Sequence, residues 1–112
     1  QEYSSNDLRE KYSSHTISNL NSMVTISQKA GARLIFVQYA LTKVDFLQSV
    51  IERDVLVISN YSVFKRALDE YEYDALFDDE FAGHFGHATE FGNRILAENV
   101  ARNILEFMST TK

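Results

Sequence analysis

"RLIFVQYALTKVDFLQSVIERDVLVISN", residues 33–60, is the stretch on which the fold turns. It opens and closes on short apolar runs, "RLIFVQYAL" (33–41) and "DVLVISN" (54–60), rich in β-branched and aromatic residues. Runs that are apolar without alternation predict strands buried on both faces, as in a parallel sheet. Between them Val44, Leu47 and Ile51 recur at helical spacing, with Thr42 and Asp45 in the positions of a capping box. Strand, helix and strand in this order predict a βαβ unit.

The pattern continues on both sides. Upstream, Ile17, Leu20, Met23, Val24 and Ala30 form one apolar stripe of a helix, and Gly31 is placed to stop it. Downstream, Asn60 or Ser62 can cap a helix that turns Val63, Phe64, Ala67 and Leu68 inward. The segment "DEYEYDALFDDE" (69–80) carries seven carboxylates and reads as a solvated helix face and loop, with Tyr71 and Tyr73 as packing residues. It lacks the glycine and alternating ligands of a calcium loop. Thr89 is the N-cap expected for a last helix whose core face is Phe91, Ile95, Leu96, Val100, Ile104 and Phe107. The predicted order is α-β-α-β-α-loop-α, an α/β fold in one domain over residues 1–112. Two parallel strands do not stand alone as a sheet. A missing N-terminal half, a partner chain or a second copy is therefore expected to complete it. A start at Gln1 rather than Met fits a piece of something longer.

Composition narrows the function classes. With 112 residues and 45% apolar content the chain can bury a modest core. A net charge of −5 argues against nucleic acid and anionic membrane surfaces, both of which need a basic stripe. No apolar run approaches a membrane span. The absence of Cys excludes thiolate metal sites and a cysteine nucleophile.

The chemistry sits in "FAGHFGHATEFGNRILAE" (81–98), which holds His84 and His87. Their spacing of three could converge on a metal ion, but zinc needs three or four ligands, and the glycines around them indicate a loop. From spacing alone, His87 is a solvated loop histidine or a catalytic base. Three segments together resemble the C-terminal half of the SGNH/GDSL hydrolases, serine esterases and acyl hydrolases of flavodoxin-like fold. They are "NLNSMVTISQKAGARLIFVQYAL", "DVLVISNYSVFKRAL" and "FAGHFGHATEFGNRILAENVARNIL", within roughly residues 18–106. The last is the most specific, because it fixes His87, Thr89, Gly92, Asn93 and the helix together.

The resemblance implies a three-layer, doubly wound parallel sheet of which this chain supplies the C-terminal half. It implies a cofactor-free ester hydrolase in which His87 is the general base. That base takes the proton of a serine hydroxyl and returns it to the leaving alcohol. The substrate would be a small ester, an acetylated sugar or a lipid. His84 occupies the family's acid position and offers a hydrogen bond but no negative charge; in the serine protease triad, loss of the acid costs about 10⁴ in rate. Asp78, Asp79 or Glu80 could substitute. Ala40 and Glu90 stand where the family often has proline. No Gly-Asp-Ser block is present, and Ser4, Ser5, Ser13 and Ser14 follow no apolar strand. The other reading is a catalytically inactive SGNH-like binding or assembly module.

Overall fold

A computed structural model describes residues 14–42, 45–51, 55–78 and 87–110. The elements run α1 (Ser14–Lys29), β1 (Ile35–Val37), α2 (Asp45–Val50), β2 (Leu56–Ile58), α3 (Tyr61–Glu70), α4 (Tyr73–Leu76) and α5 (Glu90–Thr110). β1 and β2 pair in parallel as a two-stranded sheet with α2 between them in sequence, the βαβ order expected of residues 33–60. The short helix α4 falls within residues 69–80, the stretch read as a solvated helix face and loop.

By its contacts the chain divides into two units, residues 1–36 with 44–57 and residues 37–43 with 58–112. In the first, Val24, Phe36 and Leu47 are buried together, and Leu20, Leu34, Ile51, Val55 and Val57 pack on them. The helical stripe of α1 is narrower than its sequence suggests. Val24 is 1% exposed, whereas Met23 is 45% exposed and Ala30 is exposed as well. Gly31 ends α1 at φ 72°, in the left-handed region that glycine enters without a Cβ penalty. The Ala32 N–H donates to Ser27 O at 2.9 Å and the Gly31 N–H to Gln28 O at 3.1 Å, a complete Schellman stop. Asn21 Nδ2 donates to Val50 O at 2.8 Å, which satisfies a carbonyl in the last turn of α2.

The second unit is built on Ala40, Phe64, Leu76 and Phe77. Val63, Ala67 and Leu68 of α3 and Phe91, Ile95 and Leu96 of α5 pack against them, as the helical spacing predicted. Phe64 and Phe77 stack with centroids 5.3 Å apart. Tyr71 meets Phe91 at 4.9 Å and Tyr73 meets Phe77 at 4.9 Å, so both tyrosines of the acidic stretch are packing residues. Glu70, Glu72, Asp74 and Asp78 are exposed there, as expected, but Leu76 and Phe77 between them are core.

The strands depart from the expectation of burial on both faces. Phe36 and Ile58 are buried, but Ile35, Leu56 and Val57 are half-buried and Val37 is 45% exposed. Each strand is three residues long with one paired neighbour in the sheet, too little surface to enclose every side chain.

Candidate functional site

The residues with chemistry gather at the C-terminal end of β1, within the second unit. Beyond Val37 the chain continues as Gln38, Tyr39 and Ala40. Gln38 N–H donates to Ile58 O at 3.0 Å, extending the pairing one residue past the strands. Ala40 is fully buried in the core, so Tyr39 is anchored at its base while its ring stays 43% exposed. His87 stands beside it, the two rings edge to face at 6.5 Å and 79°. In open α/β sheets, ligands bind outside this end of the strands.

His87 is held in place by main-chain bonds. Phe77 and Ala88 form an antiparallel bridge. On one side of it the Asp78 N–H donates to His87 O at 2.7 Å; on the other the Thr89 N–H donates to Leu76 O at 2.9 Å. This register sets Asp78 directly opposite His87. Side chains directly opposite across an antiparallel pair project to the same face, with Cβ atoms about 4.5–5.5 Å apart. His87 is half-buried with its Nδ1 buried, and Asp78 is exposed.

The segment leads straight into α5. Thr89 is its N-cap: the Gly92 N–H donates to Thr89 Oγ1 at 3.1 Å, satisfying one of the first-turn donors that a helix leaves open. The same hydroxyl donates to Ala75 O at 2.8 Å, tying the cap to α4. Gly92 is buried where a Cβ would collide with the Leu76 carbonyl oxygen, so only glycine lets α5 approach this closely. Thr89 thus caps α5 as the sequence pattern asks, and Gly92 allows a closer approach to α4 than spacing could reveal.

A buried amide clamp lies beneath the strand ends. Asn99 Nδ2 donates to Asn60 Oδ1 at 2.8 Å and to Ser59 O at 2.9 Å. Asn60 Nδ2 donates to Gln38 O at 2.9 Å. Asn60 does occupy the N-cap position of α3, but its side chain makes no cap bond, because the amide is engaged with Gln38 and Asn99. Ser62 lies inside α3. Asn99 Oδ1 accepts from Arg102 Nη2 at 3.2 Å and from Asn103 Nδ2 at 3.3 Å. The clamp was missed in the sequence, although a signal was there: Gly92, Leu96, Asn99 and Asn103 share one helical stripe, which places polar residues on the inward face.

His84, Asp79 and Glu80 lie outside the described residues, as do Ser4, Ser5 and Ser13. Ser14 is exposed at the start of α1. Among the described residues no group of three or more His, Cys, Asp or Glu side chains is placed to hold a metal ion. Likewise among them, no helix is long and apolar enough to cross a membrane. No family model, no curated protein and no solved structure matches this chain.

Proposed function

We propose that the chain is the C-terminal portion of an SGNH/GDSL-type serine ester hydrolase, with His87 as general base and Asp78 as the acid that orients it. The observation that carries this reading is the cross-strand register of Asp78 and His87 beside Tyr39, at the C-terminal end of β1. A base in such an enzyme must face the strand ends and needs a carboxylate to fix its tautomer and to stabilise its protonated form. The sequence replaces the acid of the family pattern by His84, and Asp78 offers the negative charge from the paired segment. The nucleophile, the oxyanion hole and the remaining strands of a doubly wound, flavodoxin-like sheet would come from chain not included in residues 1–112. The substrate is a small ester, and the reaction uses no cofactor.

The test is labelling of the complete protein by a serine-reactive phosphonate, with ester turnover followed in parallel. His87→Ala abolishes both, and Asp78→Asn lowers turnover by about 10²- to 10⁴-fold while leaving the fold intact. Labelling of the His87→Ala protein at the full rate would remove His87 from the mechanism. A second reading is favoured by His84 in the acid position together with the lack of a Gly-Asp-Ser block: a catalytically inactive SGNH-like module for binding or assembly. It predicts no labelling at all, in the presence of a stable complex with itself or a partner.

A further inference from the structure

Asn60 stands where the parallel ladder runs out. The Gln38 N–H donates to Ile58 O at 3.0 Å. The next rung of a parallel pair would bring the main-chain N–H of residue 60 to Gln38 O. Here Asn60 has turned to helical backbone angles, φ −100° and ψ −1°, ahead of α3. Its side chain supplies the rung instead, with Nδ2 donating to Gln38 O at 2.9 Å. That rung falls immediately before Tyr39. Beyond it, the Thr42 N–H donates to Tyr39 O at 3.1 Å, and Ala40 is fully buried. The backbone that carries the Tyr39 ring is thus fixed on both sides.

The orientation of the rung is set from the two ends of a chain of bonds. The Arg102 guanidinium can only donate, so Asn99 turns Oδ1 toward it, at 3.2 Å from Nη2. Asn99 Nδ2 then donates to Asn60 Oδ1 at 2.8 Å, and Asn60 Nδ2 donates to Gln38 O, which can only accept. Flipping either amide would set donor against donor or acceptor against acceptor. Both amides are buried, where bonds that run in one direction polarise and strengthen one another. The helix that bears Asn99 also fastens His87, through the Thr89 cap about three turns earlier. Both rings of the site are therefore referred to α5.

We propose that Asn60 is a positioning residue for the Tyr39–His87 pair. Through Gln38 O it holds the Tyr39 ring against His87, and Asn99 holds Asn60 in turn. The part this plays in a reaction rests on the hydrolase reading; the ring contact itself does not. Tyr39 is exposed beside the base, at the strand ends where ligands of open α/β sheets bind. In that reading Tyr39 is a wall for the ester rather than a catalytic residue. Displacing it weakens ground-state and transition-state binding alike, so KM rises while kcat holds.

The test is made on the complete protein by NMR, with circular dichroism to confirm that each variant is folded. The readouts are the His87 ring resonances and the cross-peak between the Tyr39 and His87 rings. Asn60→Ala should shift the resonances and remove the cross-peak. Asn99→Ala keeps the Asn60–Gln38 bond; it should give a smaller change in the same direction, and it carries the test if Asn60→Ala does not fold. The double variant should go no further than Asn60→Ala alone, because both residues act along one chain of bonds. In a Tyr39→Leu background Asn60→Ala should leave His87 where it is, since the effect travels through the Tyr39 ring. Asn21→Ala controls for lost stability: it removes a like bond from an amide to Val50 O within the first unit and should leave the pair unchanged. In turnover of a small ester, Asn60→Ala should raise KM about tenfold with kcat little altered. His87 signals unmoved in both Asn60→Ala and Asn99→Ala overturn the inference. So do signals moved as far by Asn21→Ala. A parent protein without turnover removes the hydrolase reading, and the ring readout then decides the positioning role by itself.

Discussion

Asn99 and Asn60 are joined by a single side-chain bond of 2.8 Å, and through it α5 holds the ends of both strands. Asn60 passes the link on to Gln38 O, while Asn99 takes Ser59 O directly. Both amides are nine-tenths or more buried, and each supplies donors to carbonyls that would otherwise face an apolar interior. Removing one member leaves those groups without partners, at a cost of about 1–3 kcal/mol each. Asn99→Ala and Asn60→Ala should therefore each lower stability by about 2–3 kcal/mol in urea unfolding. Asn60→Asp should be no better than the alanine variant, because the required group is the donor to Gln38 O. A loss below about half a kcal/mol at both sites would sink this account of the clamp.

Thr89 carries two jobs on one hydroxyl, capping α5 and bonding Ala75 O. Thr89→Ala should cost about 1–2 kcal/mol. Thr89→Ser keeps the hydroxyl and should recover most of the loss in thermal unfolding. If serine proves as poor as alanine, the hydroxyl is not what Thr89 contributes.

At Gly92 two effects oppose each other. Alanine is favoured over glycine in a helix by about 1 kcal/mol. Its Cβ, however, would enter the space of the Leu76 carbonyl oxygen, a backbone atom fixed by its bond to the Thr89 N–H. Overpacking of this kind costs about 1–3 kcal/mol, and here the obstacle cannot rotate away. Gly92→Ala should thus be destabilising despite the gain in helix propensity, with a lowered Tm. An unchanged or raised Tm would mean that α4 and α5 separate easily.

The Tyr39 ring should be sensed by His87. Tyr39→Phe keeps the edge-to-face contact and should leave the His87 ring resonances nearly in place. Tyr39→Leu removes the aromatic ring and should shift them, with little change in stability for a side chain so exposed. Superimposable His87 signals in the parent and the leucine variant would show that the rings do not meet in solution.

Much of this architecture is legible in the sequence, and the reasons differ by element. Both strands fall within the apolar runs 33–41 and 54–60, because β-branched and aromatic clusters between polar turns have few other uses. Gly31 and Thr89 were readable because stops and caps depend on chemistry local to one turn. The clamp was not, since Asn60 also satisfies the local pattern of a cap; only a partner 39 positions away redirects its amide. Leu76 and Phe77 were hidden for a related reason: two apolar residues in an acidic run carry no periodicity, and their burial depends on α5 returning to meet them. Placing His87 opposite Asp78 likewise required a bridge that no periodic pattern announces.

The main-chain bond between Asp78 and His87 has one more consequence, for how this region can change. It closes the chain on itself, so that the segment 79–86 leaves and returns at a single place. Lengthening a segment whose ends are already joined costs only loop-closure entropy, about 0.6 kcal/mol for each doubling. Insertions and replacements there, His84 included, can therefore accumulate without displacing His87 from the end of β1. The floor of the site, fastened through Thr89 and Gly92, stays where it is.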